Sequence, residues 1–346
     1  MVETRLADTA ASAGSESREN RKVTISTVAK AAGVSIATVS RVMSGSTAVK
    51  PELARRVQAA ADELSYRPNS AARGLALGSL RNMGVIVPDL ANAYFFDVVK
   101  QMHHAAASDG YRMLIADYSG ETDELTTALD LLGHVDGLVL LSSRIPVDGL
   151  RELARQRTPV VLVNRLEMGV DLPMVAVDNF TAMLQLCGHL AQLGHRRVVY
   201  LGGSPLAWQN RERLRAVEAS KAFGIESTVV ESDGTIETSY GLVDTALTHE
   251  PTALICFNDL SAVGAISRLR DLGLSVPRDI SVTGFDDIVL SRHIDPRLTT
   301  VVSPKAEVGR LAWELMQGLV ARRPVESPPL VPTELVVRES TGPAAR

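Results

Sequence analysis

Two sets of residues in this 346-residue chain have the types and spacing to do chemistry. The first is compact: Thr24, Ser35, Ile36, Ala37, Thr38, Ser40 and Arg41, around the turn Gly33-Val34-Ser35. Small hydroxyls placed there hold phosphates, and Ile36 and Ala37 can rest against thymine methyl groups. Arg41 can grip guanine through two parallel hydrogen bonds, worth about 1–3 kcal/mol of base discrimination. The second set is scattered, but its members follow one apolar run after another. It comprises Asp89 and Asn92, Ser142, Asn164-Arg165, Asp178, Trp208-Gln209-Asn210-Arg211, Arg213, Asn258-Asp259 and Asp286-Asp287. Carboxylates, amides and arginine satisfy vicinal hydroxyls in pairs, and an aromatic ring stacks on a sugar's apolar face. A nucleobase would use the same stacking together with Asp and Arg.

The elements that must position the first set are short helices. Thr24 can cap a helix that buries Val28, Ala31 and Ala32 and ends at Gly33. Ser35 caps a second, with Val39, Val42 and Met43 inward. Pro51 opens a third, where its fixed φ suits the first turn, with Val57, Ala60, Ala61 and Leu64 on one side. After Leu80 the pattern changes to short apolar runs alternating with helical stretches: Met83–Val87, Arg112–Ala116, Gly137–Leu141, Val160–Val163, Met174–Val177, Val198–Leu201, Ala253–Phe257 and Ile280–Thr283. That alternation implies parallel sheets covered by helices on both faces, and so many strands are better divided between two lobes than forced into one. Ligands of such sheets bind beyond the carboxyl ends of the strands, where the second set falls.

Charge supports the division. Residues 21–81 carry ten Lys/Arg against three acids, a net of +7, while residues 1–20 carry −2 and the rest −9. A basic module ahead of an acidic body is the electrostatic footprint of a nucleic-acid binder. The N-terminus has acids where a signal peptide needs bases, and no apolar run is long enough to span a membrane. The expected location is the cytoplasm. Cys187 and Cys256 sit inside apolar segments and read as buried thiols rather than a disulfide.

The stretches Val23-Thr24-Ile25, Ala29-Lys30-Ala31-Ala32-Gly33-Val34-Ser35 and Ala37-Thr38-Val39-Ser40-Arg41-Val42 resemble the LacI/GalR repressor family. So do Tyr66-Arg67-Pro68-Asn69 and Ala71-Ala72-Arg73-Gly74-Leu75, and the likeness runs from about residue 22 to 340. The resemblance implies a hinge helix over Asn69–Leu77, with Leu75 wedged into the central base step and Ala72 against the minor-groove floor. Physical chemistry agrees: a helix this short, with a glycine inside it, is too weak to persist alone and would form where two copies meet on DNA. The resemblance also places Tyr94, Phe95, Arg213, Asn258 and Asp286 near an effector, whereas Trp208 and Asn210 lie in a segment that varies among relatives. Arg215-Ala216-Val217 departs from the glycine and aromatic common there. His195 matches a pattern that is mostly structural.

The expected architecture is a small all-α helix-turn-helix domain followed by a bilobed α/β effector domain resembling periplasmic binding proteins, built on two parallel doubly wound sheets. Its parts are a disordered tail (1–21), the DNA-binding domain (22–67), hinge and linker (68–80), effector and dimerisation domain (81–340) and a C-terminal tail (341–346). The expected function is a homodimeric repressor holding palindromic double-stranded DNA, controlled by a small molecule, a sugar or sugar derivative, with no cofactor and no metal. Coupling between ligand and DNA would be about 1–3 kcal/mol. A purine- or nucleoside-responsive regulator, or an activator, uses the same fold. A periplasmic sugar-binding protein would need a signal peptide and would lack residues 22–78. No metal spacing, nucleophile elbow or phosphate loop argues for an enzyme.

Overall fold

The computed structural model describes residues 23–43, 49–66, 79–118 and 123–345. The expected N-terminal tail and the hinge residues Asn69, Ala72 and Leu75 lie outside them. The chain divides into two compact units, with the boundary between Ser79 and Leu80.

The first unit holds α1 (Ile25–Ala32), α2 (Ile36–Met43) and α3 (Pro51–Glu63). Thr24 caps α1 in a reciprocal box with Thr27, and Gly33 ends it at φ +62°, a conformation that glycine enters without the Cβ clash other residues meet. Arg56 of α3 donates to the Ala32 carbonyl at 2.7 Å, satisfying an end of α1 that no helical bond reaches. Val28, Ala29, Ala32, Val39, Val57, Ala60 and Ala61 form the core. Ala29 is buried and Ala31 exposed, the reverse of the sequence expectation for Ala31, because the stripe on this two-turn helix follows i, i+1, i+4.

The second unit has two α/β lobes. The first contains β1 (Asn82–Val87), α4 (Ala93–Ser108), β2 (Arg112–Asp117), α5 (Glu124–Leu132), β3 (Gly137–Leu141), α6 (Val147–Ala154), β4 (Val160–Val163) and β5 (Met174–Val175), with parallel sheet order β2-β1-β3-β4-β5. The second contains α7 (Asn179–Gln192), β6 (Arg197–Leu201), α8 (Trp208–Ala219), β7 (Glu226–Val230), α9 (Ile236–Leu247), β8 (Ala253–Cys256), α10 (Asp259–Asp271) and β9 (Ser281–Thr283), with parallel order β7-β6-β8-β9. Short β10 (Thr300–Val302) and β11 (Glu334–Val336) pair antiparallel. Between them α11 (Lys305–Val320) returns to pack on the first lobe, where Val308, Ala312, Trp313 and Met316 join its core.

The chain therefore passes between the lobes three times. Val177 and Val331 belong to the first core, whereas Ala182, Val301 and Leu335 pack in the second. Three crossings side by side leave a cleft facing the carboxyl ends of both sheets. The strand expected over Met174–Val177 stops at Val175, and Val177 instead bridges Val331 at a crossing.

Candidate nucleic-acid interface and effector cleft

On the first unit, Ser35, Ile36, Ala37, Ser40 and Arg41 are exposed, and Ile36 keeps 51% of its surface open although it is apolar. Thr24 is exposed at the start of α1. Thr38 is half-buried: its amide donates to Ser35 Oγ at 3.1 Å, and the two hydroxyls lie 2.9 Å apart. Val39, fully buried, fixes the rotation of α2 and so turns the positions on either side of it outward. The result is a short helix presenting an arginine, hydroxyls and small apolar groups together, as reading a major groove requires.

In the second unit the cleft encloses about 460 Å³ and is lined from both lobes. Ten sequence-expected residues meet there: Asp89, Asn92, Tyr94, Phe95 and Ser142, with Asn164, Gln209, Arg213, Asn258 and Asp286. Local turns put them there. Asn92 caps α4 by accepting from the Tyr94 amide at 3.0 Å, so Tyr94 and Phe95 start the helix at the cleft. Asn258 likewise caps α10 through the Ser261 amide at 2.8 Å. Ser142 and Asn164 follow β3 and β4 directly, with positive φ of 53° and 57°.

Trp208 and Asn210 are not among the lining residues, contrary to the sequence expectation. Asn210 is committed to its own lobe: its Oδ1 accepts from the Tyr200 hydroxyl at 2.8 Å and the Gly203 amide at 2.9 Å, and its Nδ2 donates to the Gly203 carbonyl. Gln209, named in the same run, does line the cleft, and its Nε2 donates to Ser142 Oγ at 2.6 Å, joining the lobes directly. The helical register explains the difference, because Gln209 shares a face with Arg213, one turn on. Arg144, Phe257 and the loop from Asp233 to Glu237 also line the cavity and were not singled out in the sequence.

Arg213 organises the second-lobe wall. It is buried, donates Nε to Asn179 Oδ1 at 2.9 Å and Nη1 to the Phe257 carbonyl at 2.5 Å, and lies over the Phe285 ring at 3.5 Å. Its Nη2 sits 3.6 Å from Asp286 Oδ1, with both side chains under 10% exposed. Burial raises Asp286 to about 6, opposed by Arg213 and Lys305. Burial and the nearby Asp286 charge raise Asp259 to about 7. Asp259, next to the cap Asn258, accepts from Thr300 Oγ1, the Ile288 amide and Ser291 Oγ, tying the second crossing to its lobe. Asp287 faces away from the cleft into Arg292 and Arg338. In the first lobe Asn164 Nδ2 donates to the Tyr94 hydroxyl at 2.5 Å, and burial lifts Tyr94 to about 12, so the phenol stays protonated. Two buried atoms on lining residues have no protein partner: Asn164 Oδ1, an acceptor, and Arg144 Nε, a donor.

His195 serves as a brace between Thr252 Oγ1 (2.9 Å) and the Gly342 carbonyl (3.0 Å). Asp178 caps α7 just after the first crossing. Both cysteines are free and buried. Among the described residues, no helix is long and apolar enough to cross a membrane.

A helix-turn-helix carried on one chain with a two-lobed cleft defines a DNA-binding transcriptional regulator. Residues 24–69 match the bacterial regulatory proteins of the lacI family, and residues 187–341 match the periplasmic binding protein-like domain. The HTH-type transcriptional repressor CytR of Escherichia coli K12 is 33% identical over 333 residues, covering 94% of this chain and 98% of that protein. The lac repressor dimer bound to operator and the anti-inducer ONPF superposes with a TM-score of 0.82 at 26% identity, covering 93% of this chain and all of that one. The transcriptional regulator CelR in complex with cellobiose gives 0.70 at 28% identity, covering 92% of this chain and all of that one. The chain belongs to the LacI family and is a DNA-binding transcriptional repressor of that family.

Proposed function

We propose that this repressor is a cytoplasmic homodimer on a palindromic operator, released or engaged by an uncharged polyhydroxylated effector, a sugar or sugar derivative. The observation that carries the effector class is the uncharged polar lining of the cleft, where Asn92, Ser142, Asn164, Gln209 and Asn258 come together from both lobes. Amides and hydroxyls donate to and accept from the hydroxyls of a polyol without requiring a charge on the ligand. The charges point the same way. Asp89, Asp233, Glu237 and Asp286 outnumber Arg144 and Arg213 on the lining, and Arg213 is engaged by Asn179, Phe257 and Asp286. A phosphorylated ligand would meet net repulsion there. The CelR–cellobiose and lac repressor complexes support the sugar class and the dimer.

Thr24, Ser35, Thr38 and Ser40 hold phosphates in this reading, and Arg41 reads guanine with Ile36 and Ala37 against methyl groups. Asn69, Ala72 and Leu75 take the hinge roles implied by the family resemblance. The test has two arms. Purified protein at fixed salt selects from fragmented genomic DNA, and enrichment of one palindrome supports the operator reading. Calorimetry with D-ribose, D-glucose, cellobiose, glucose 6-phosphate, cytidine and adenine then separates the effector classes. Binding of glucose 6-phosphate in preference to the neutral sugars would overturn the charge argument, and preference for cytidine or adenine would move the effector to nucleosides or bases.

A further inference from the structure

The cleft is one end of a structure whose other end holds the start of the effector body. Lys305, the first residue of α11, donates Nζ to the carbonyls of Asp286 (2.6 Å) and Asp287 (3.1 Å). Ser303, just before it, lies 3.4 Å from the Tyr94 hydroxyl. The first turn of α11 is therefore fastened to cleft residues from both lobes.

One turn further along, the helix meets α4 with almost no space between backbones. A Cβ on Gly309 would lie 2.8 Å from the Val98 carbonyl oxygen and 3.1 Å from the Met102 amide, so the two helices must shift together. About 12–18 Å from Lys305 along the axis, Trp313 Nε1 and Gln317 Nε2 both donate to Asp109 Oδ2, at 2.8 and 2.9 Å. The Trp313 ring meets Tyr111 edge-on at 5.3 Å, and the Arg81 guanidinium covers the other ring at 5.0 Å. Arg81 also donates to the Asp109 carbonyl at 3.0 Å. The amides of Leu80 and Arg81 are held by the two oxygens of Asp136 at 2.8 and 2.6 Å. These are the first residues of the second unit, where the chain arrives from the DNA-binding unit.

We infer that α11 couples the effector cleft to this entry point, with Lys305 as the positioning residue at the cleft and Trp313, Gln317 and Asp109 as the positioning residues at the other end. A helix packed backbone to backbone with its neighbour transmits a displacement rather than absorbing it. Movement of the Asp286–Asp287 carbonyls on ligand binding thus changes how Arg81 is seated. The inference rests on the repressor reading above.

Calorimetry first identifies a member of the D-ribose, cellobiose and cytidine panel that binds wild type, and the enriched palindrome serves as DNA. Trp313→Phe keeps an aromatic ring, though a smaller one, and removes the N–H donor. Gln317→Met, at an exposed position, tests the same contact with little risk to folding. Both variants should bind the panel compound within about threefold of wild type. They should lose most of its effect on DNA affinity, a factor of about 5–150 in coupled systems of this kind. Because the chain has two tryptophans, Trp208→Phe leaves Trp313 as the sole reporter, and its emission should shift on saturation with the compound. A wild-type fold-change preserved in both variants, or calorimetric binding with unchanged Trp313 emission, overturns the coupling role and leaves the repressor reading intact. A wild type whose DNA affinity no panel compound alters overturns the ligand-control reading itself, and the coupling inference with it.

Discussion

Replacing Arg213 with methionine should make the protein's stability depend on pH in a defined direction. Methionine fills a similar volume but cannot donate, so the substitution removes the bonds to Asn179 Oδ1 and the Phe257 carbonyl and leaves Asp286 buried beside an apolar group. Two acceptors losing their donors cost about 1–3 kcal/mol each, and breaking a buried ion pair costs about 3–5 kcal/mol as a whole. The wild-type carboxyl already titrates at about 6, well above the 3.8 of a free aspartate, because burial outweighs the help from Arg213. Between those values the folded state binds the extra proton, so Asp286 makes stability fall as pH rises through that window. Without Arg213 the folded value climbs further and the window extends upward. The difference between variant and wild type should then widen by about 1.4 kcal/mol per pH unit above 6 until the variant's own titration point. Urea unfolding of both proteins at pH 5.5 and 8.0 measures it. We expect a loss of about 4 kcal/mol at pH 8.0, clearly smaller at pH 5.5, and partial recovery in the Arg213→Met/Asp286→Asn double variant. Equal losses at the two pH values, or strict additivity in the double variant, would refute the claim that an uncompensated buried charge is the cause.

Arg41→Ala should cost about 1–3 kcal/mol of discrimination between the selected palindrome and random DNA, measured by competition at constant salt, while leaving non-specific binding nearly unchanged. Asn210→Ala should lower stability by about 2–4 kcal/mol in denaturant melts, since it strands the buried Tyr200 hydroxyl and both polar groups of Gly203. Gln209→Leu removes a bond between lobes and should raise the radius of gyration of the unliganded protein in solution scattering; an unchanged curve would deny that this bond holds the cleft closed.

Much of this architecture was legible because it rests on patterns that local physics enforces. The helix-turn-helix followed from Thr24, Gly33, Ser35 and Pro51, each a residue whose backbone preference marks a helix end. The buried parallel strands announced themselves as apolar runs. Other elements leave weaker signals in the sequence. The strand Glu226–Val230 lies at a sheet edge and is half exposed, so its sequence is polar at the start and carries no clear run. With it went the loop after it, and therefore Asp233 and Glu237. The strands Thr300–Val302 and Glu334–Val336 are three residues long and exist because the crossings bring them together, a tertiary cause with no local trace. Of the run Trp208-Gln209-Asn210-Arg211 only Gln209 lines the cleft, and the distinction is one of helical register, since Gln209 lies one turn before Arg213.

The cleft also shows how a parallel sheet makes a binding site from its own termini. Ser142, Asn164 and Asp286 all have positive φ, at 53°, 57° and 112°, though none is glycine. Such conformations cost about 1–3 kcal/mol each and persist only where surroundings over-determine them. Here the determining bonds are visible. The Ser142 amide donates to the Val163 carbonyl and the Asn164 amide to the Val175 carbonyl, both at 2.7 Å, and the Asp286 amide donates to the Val301 carbonyl at 2.8 Å. Each residue thus makes one more backbone bond to a neighbouring segment while its left-handed backbone turns the chain out of the sheet. The same bond that pays for the strain fixes where the residue stands, and the side chain is placed on the cleft wall by the sheet rather than by a mobile loop. Asn164 Oδ1 is left buried without a protein partner because its position is set in this way, not by the contacts it could make within the protein. Strain and the unpartnered acceptor at that residue are therefore two consequences of one arrangement.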